Sequence, residues 1–254
     1  MEKYYTKEDM EKIFLELGLK AEMIVCLQVD PSHVEQVIGG MQTIIEAMMH
    51  VIGKKGCIMV PCFSNATLDP SCIKKASYSN WAKIRENMIG YKAQLSECDA
   101  FAMQFLKNEN VQRSKHPTCS FAYWGNFRST WLDCVQDFPI SFDKQCAPLS
   151  SFQARNVLIG YPSSESILLP AIAKEKKLGT IFVQRAKIRR AKTSIFKLFL
   201  QIRLNEEDKV ECLKQCHEKS YKWSNQNIYS LWLDTSLVKK EATHSKVSVL
   251  SLSK

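Results

Sequence analysis

Arg113-Ser114-Lys115-His116-Pro117-Thr118-Cys119-Ser120-Phe121-Ala122-Tyr123-Trp124-Gly125 passes in one short stretch from clustered charge to an apolar run. Pro117 biases His116 toward an extended backbone, and Thr118 to Trp124 reads as a strand. Arg113 and Lys115 flank His116. Two readings follow from the residues themselves. One is a positioned imidazole beside an anionic ligand held by Arg113 and Ser114. The other is a structural histidine in the loop that feeds the strand.

Working outward toward the N-terminus, Thr6-Lys7-Glu8-Asp9 opens a helix with a capping-box pattern, and Gly18 closes it. Met23 to Leu27 is a short continuous apolar run that predicts a buried strand. Gly39-Gly40 precedes a helix with Ile44, Ile45, Met48, Met49 and Ile52 at helical spacing, ended by Gly53. Cys57 to Val60 predicts a second buried strand, stopped at Pro61. Strand, helix, strand in this order gives a parallel pair. Residues 64–95 read as a long loop, the kind that often carries function. Ser96-Glu97-Cys98-Asp99 caps a helix whose apolar face holds Cys98, Phe101, Ala102, Phe105 and Leu106.

Toward the C-terminus, Val157 to Gly160 and Thr180 to Val183 predict further strands. Glu206 to Tyr221 predicts an amphipathic helix through Val210, Leu213, His217 and Tyr221. Beyond about Lys239 the chain turns polar and is expected to fray. The expectation is an α/β fold: a single domain over residues 1–254, with a mixed, largely parallel central sheet flanked by helices.

The chain has 254 residues, 45% of them hydrophobic, enough for a sizeable core. No apolar run approaches the ~20 residues needed to span a bilayer. Met1-Glu2-Lys3-Tyr4-Tyr5 has mixed charge and no apolar segment, so no export signal is expected and the cytoplasm is the expected compartment. There are ten cysteines, irregularly spaced. In that compartment they read as reduced thiols rather than as a disulfide framework. Cys212-x-x-x-Cys216-His217 is the one metal-like cluster. It lacks a second ligand pair, and no metal is expected.

The net charge of +9 favours anionic partners. Lys174 to Lys192 holds eight basic residues and one acidic one. Such a segment could meet phosphates of a cofactor or of nucleic acid, or form a solvated basic face. No aromatic residue alternates with its charges between Phe182 and Phe196, so stacking on single-stranded nucleic acid is not indicated. Gly39-Gly40 before a helix lets backbone amides approach a phosphate, or simply makes a tight turn. It fits neither the dinucleotide fingerprint nor the P-loop.

In order along the chain, Val37-Ile38-Gly39-Gly40, the Gly56-to-Ser64 strand, the Arg113-to-Gly125 block, Ala147-Pro148-Leu149 and Val157-to-Gly160 resemble the aminoglycoside 3-N-acetyltransferase family. Arg113, Ser114, His116, Pro117 and Ser120 meet that family's R-S-x-H-P-x-x-S core, and Ala122 and Gly125 follow. The match is clearest over residues 20–165; the C-terminal third diverges. The resemblance implies acetyl transfer from acetyl-coenzyme A, as co-substrate, to an amine of an aminoglycoside-like molecule. The implied partners are therefore a small-molecule amine and coenzyme A, with no membrane and no nucleic acid.

It also implies cofactor contacts around Gln28, Val37, Gly39, Gly40, Arg113 and Ser114, and substrate contacts at Asp30, Phe63 and Asp137. Two departures stand out. The family's His-Ser-Ser after the first strand is Gln28-Val29-Asp30 here. Its H-x-x-E helix, whose histidine serves as the base, has Pro170 and Ala173 at those positions. No histidine lies between His116 and His217. The remaining candidates for the base are His116, Glu165 and Glu175, and a carboxylate near its usual pKa of ~4.3 is a weaker base than imidazole. The alternative is a descendant that keeps the fold, and coenzyme A binding, without the base.

Overall fold

The computed structural model describes residues 3–133, 135, 137–142, 154–189, 193–223 and 226–233. Ala147-Pro148-Leu149, the basic pair Arg190 and Lys192, and the tail beyond Lys239 lie outside the described residues.

Thr6 caps α1 (Lys7–Glu16) with the reciprocal Thr6/Asp9 box expected from the sequence. β1 (Ile24–Val29), α2 (Gly40–Ile52) and β2 (Cys57–Phe63) form the expected parallel βαβ unit. Gly39 enters α2 at φ +83°, and a Cβ there would fall 2.4 Å from the Thr43 hydroxyl, so only glycine fits this turn. The long loop after β2 contains a short helix, α3 (Trp81–Asn87). Asp99 caps α4 (Ala100–Leu106) as predicted.

β3 (Gln112–Arg113), β4 (Cys119–Gly125), α5 (Ser129–Asp133), β5 (Arg155–Ile159) and α6 (Leu168–Lys176) follow. The hairpin β6 (Thr180–Arg189) and β7 (Ser194–Arg203) stands apart as a two-stranded sheet. α7 (Glu206–Leu213), β8 (Cys216–Trp223) and β9 (Gln226–Leu233) complete the described chain.

The main sheet has the order β3-β4-β2-β1-β5-β9-β8. It is mixed and flanked by helices, as expected, but antiparallel pairs outnumber parallel ones, because β4, β9 and β8 join by antiparallel pairing outside the βαβ centre. Its parallel part is the centre, β2-β1-β5, and every pairing outward from there is antiparallel. Alternation along the strands sends Val25, Leu27, Val29, Ile58, Val60 and Val157 to one face, against α1, α2 and α4. Cys26, Cys57, Met59 and Leu158 go to the other, against α5, α6 and α7.

Two expectations are corrected. β2 does not stop at Pro61 but continues to Phe63, because its β1 pairing ends at Met59 and Pro61 is paired on the β4 side alone, where a missing N–H is tolerated. The helix expected over Glu206–Tyr221 ends at Leu213. Cys216–Trp223 is instead an edge strand bonded along its length to β9. Pairing across the hairpin outweighed a local helical spacing. No described helix is long and apolar enough to cross a membrane.

Candidate active-site cleft

The carboxyl ends of β1, β2 and β5 open on one edge of the sheet, where open α/β sheets place their ligand crevices. Two cavities adjoin there, of about 160 and 380 Å³, sharing Gln28, Phe63 and Tyr161 as walls. The smaller adds Asp99 and Phe101; the larger adds Ile140, Glu165, Pro170 and Lys209.

Gln28 builds this cleft more than it fills it. Its amide donates to the Glu165 carbonyl at 3.1 Å and accepts from the Ile167 amide at 2.9 Å. The loop entering α6 is thereby tied to the end of β1. A buried relay does the same from below: Ser166 donates to the Asn156 side chain, which donates to the Cys26 carbonyl. Pro170 sits in the first turn of α6, where a missing N–H costs little, and it lines the larger cavity. Ala173 is fully buried against the sheet.

Asp30 caps a short turn over Pro31–His33. It accepts from the Ser32 amide and hydroxyl and meets His33 Nδ1 at 3.0 Å. Burial opposes ionisation of Asp30, but the Ser32 and His33 hydrogen bonds outweigh it and hold the carboxyl below its ordinary value. This turn packs on Gly160, whose φ is +78°; a Cβ there would lie 2.9 Å from the Cβ atoms of both Asp30 and His33. Tyr161 follows directly. Burial, together with the charges of Asp30, Asp99 and Glu165, holds its phenol above the ordinary value. Three carboxylates therefore surround one aromatic wall of the cleft. Glu165 is paired with Lys209 at 3.0 Å.

The block that opened the sequence is a fold-building device. Arg113 is buried and fully engaged: Nε donates to Ser120 Oγ at 3.0 Å, one terminal nitrogen to the Cys62 and Glu97 carbonyls at 2.9 and 3.4 Å, and the other to the Ser96 carbonyl. Ser114 bonds Phe121 through both its amide and its hydroxyl. His116 is 3% exposed, and its Nδ1 accepts from the amides of Cys119 and Thr118 at 2.9 and 3.3 Å. Its ring packs edge-on against Phe199 at 4.8 Å, and Nε2 is buried without a hydrogen-bond partner among the described residues. Burial, with Lys197 nearby, lowers its pKa to about 3. An imidazole so placed is neutral and organises the entry to β4. It does not reach the cleft.

The other expected residues divide between cleft and elsewhere. Phe63 and Glu165 line the cleft, and Asp30 borders it. Val37 is buried at the turn into α2, with Gly39 and Gly40 presenting backbone at that helix's N-terminus, on the same edge of the sheet. Glu175 is exposed on the far part of α6. Asp137 lies against β7, its carbonyl accepting from the Leu200 amide and its carboxylate 3.9 Å from Lys197. Asp99, Tyr161 and Lys209 were not singled out as site residues. Tyr161 had a signal, the first residue past the Gly160 strand end. Lys209 arrives from α7 by tertiary packing and had none.

The basic segment is not one face. Lys174 and Lys176 end α6, while Arg185 and Lys187 on β6 pack over Phe196 and are spent on Asp69 and the Arg85 carbonyl. Among the described residues no group of three metal-ligating side chains forms. A separate cavity of about 660 Å³ lies at the β3 edge, with Met103, Leu106, Val111 and Leu132 among its walls.

The family model described as aminoglycoside 3-N-acetyltransferase matches residues 27–165. Aminoglycoside N(3)-acetyltransferase IX of Micromonospora chalcea is 29% identical over 175 residues, 65% of this chain and 60% of that protein. The SPbeta prophage-derived aminoglycoside N(3')-acetyltransferase-like protein YokD of Bacillus subtilis is 29% identical over 134 residues, 50% of this chain and 49% of that one. The chain thus matches only about half to three-fifths of the length of these relatives. The crystal structure of the Bacillus subtilis YokD protein superposes with TM-score 0.79 at 22% identity, covering 94% of this chain and 92% of that one. A structure titled AAC-IIIb binary with CoASH gives TM-score 0.73 at 13% identity, covering 96% and 97%. These two likenesses establish the fold.

Proposed function

This chain belongs to the aminoglycoside 3-N-acetyltransferase family, and we propose that it is an acetyl-coenzyme A-dependent N-acetyltransferase acting on a polycationic, aminoglycoside-like amine, working in the cytoplasm with residues 1–254 as one domain. The observation that carries this reading is the acid-bordered cleft at the strand ends. A protein of net charge +9 repels a polycation unless a local field overrides the global one. Asp30, Asp99 and Glu165 around Tyr161 supply that local field. The N-terminus of α2, beside the same sheet edge and with no side-chain cap, offers a first turn suited to the phosphates of coenzyme A.

In the transfer, the amine nitrogen attacks the thioester carbonyl carbon and loses a proton as the thiol departs. Glu165 is the proton acceptor in this proposal: of His116, Glu165 and Glu175, it is the one whose side chain borders the cleft. Lys209 orients it. Gln28 holds the Glu165 backbone in place, and Phe63 and Tyr161 exclude water from the reacting atoms.

One observation favours a second reading, a coenzyme A-binding protein without turnover: Pro170, not an imidazole, occupies the cleft wall on α6. Thiol release from acetyl-coenzyme A with a panel of amines separates the two. Amine-dependent release, reduced about 100-fold in kcat by Glu165→Gln, is the outcome expected for the enzyme. Coenzyme A binding with no release for any amine, and release gained in Pro170→His, is the outcome that replaces it with the second reading.

A further inference from the structure

Cys62 lies near the end of β2, and Cys98 immediately precedes the Asp99 cap of α4. Cys62 is fully buried and Cys98 partly so. Both pack in the same apolar cluster. Arg113 fixes their segments against each other, since its guanidinium donates to the carbonyls of Cys62, Ser96 and Glu97. Beneath this clamp both thiols are free: the Cys62 thiol donates to the Val60 carbonyl at 3.6 Å, and the two sulfurs influence each other's ionisation.

We propose that Cys62 and Cys98 are a reactive dithiol that closes to a disulfide on meeting a hydroperoxide. Cys98 is the attacking sulfur. It is the more exposed of the two, and its interaction with Cys62 holds its thiol below the ordinary value; burial opposes this, and the Arg113 guanidinium reinforces it. Cys62 is pushed up, first by its interaction with Cys98 and then by burial. Burial also pushes up Cys57 and Cys216 to about 12 and Cys119 and Cys212 to about 11. Cys26 is raised as well.

The Cys98 thiolate attacks one peroxide oxygen. An S–O bond forms to the terminal oxygen, the O–O bond breaks, and alkoxide (hydroxide, from hydrogen peroxide) leaves, giving the sulfenic acid. The Cys62 sulfur then attacks the Cys98 sulfur: the S–S bond forms, the S–O bond breaks, and the Cys62 proton leaves with the oxygen as water. In sum two thiols are oxidised and one hydroperoxide is reduced. Phe63 and Asp99, each the next residue after one of these cysteines, line the same cavity. The disulfide therefore ties two walls of the cleft together, whatever reaction the cleft performs.

The test is peptide mapping by mass spectrometry after the folded, reduced protein meets hydrogen peroxide. The expected product is a Cys62–Cys98 linked peptide, lighter than the two reduced peptides by two hydrogens and separated again by dithiothreitol. In Cys62→Ala, a dimedone probe should label Cys98 as a sulfenic acid. Oxidation of other thiols with no linked Cys62–Cys98 peptide overturns the proposal, as does labelling of Cys98 no faster than the buried cysteines. The wild-type mapping decides the matter even if Cys62→Ala fails to fold.

Discussion

At the scale of single residues, His116 shows how one side chain can be prominent in a sequence and silent in chemistry. Its Nδ1 is filled by two backbone amides and its ring is packed against Phe199. Protonation would place an unsolvated cation in the core, which is why its pKa falls from 6.5 to about 3. The sign follows: the unfolded chain takes up the proton first as pH drops. Stability from this residue is complete above about pH 6.5 and is lost progressively down to about pH 3, on the order of 5 kcal/mol in all. In His116→Gln, which keeps an acceptor for the β4 amides, the urea midpoint should fall less between those pH values than in the wild type. Parallel acid limbs would show that the imidazole does not titrate with folding. The sequence left both readings of His116 open because flanking charge says nothing about burial.

At the scale of elements, the loop between β2 and α4 is held by one buried carboxylate. Asp69 is fully buried and accepts two bonds from Arg85, at 2.8 and 2.9 Å, with Arg185 of β6 at 3.8 Å. The Arg85 bonds, against burial, hold Asp69 far below the ordinary carboxylate range. Its amide also donates to the Arg185 carbonyl. The hairpin β6–β7 is thus fastened to the loop, while Gln201 of β7 also donates to Cys119 of β4 at 2.9 Å. Asp69→Asn should lower the melting temperature by roughly 5 °C or more, by leaving Arg85 without its counter-ion. An unchanged melting curve would show that the backbone bonds of Thr67, Asp69 and Tyr91 to β6 fasten the hairpin without the ion pair. Nothing in the local sequence singles out Asp69, because its partners come from residues 85 and 185. The helix caps Thr6 and Asp99, whose partners are three residues away, were legible from the start.

At the scale of the whole molecule, a positive global charge coexists with a negative cleft. If the cleft governs encounter with a cationic amine, kcat/KM should fall severalfold as salt rises to physiological strength, because screening weakens a local attraction. A rise with salt would mean that the global +9 dominates instead. The sequence by itself determined what short-range chemistry dictates: the β1-α2-β2 unit, its caps and glycine turns, the buried strand runs, and family membership through the Arg113-to-Ser120 core. Tertiary structure alone decided three things. It made the Arg113 block a buried clamp, turned Cys216–Trp223 into an edge strand, and brought Gln28, Asp99, Tyr161, Glu165 and Lys209 to one crevice. Each depends on pairings between residues far apart in the chain. Periodicity and capping report only what a residue meets within a turn or two of itself, so distant pairings leave no local trace.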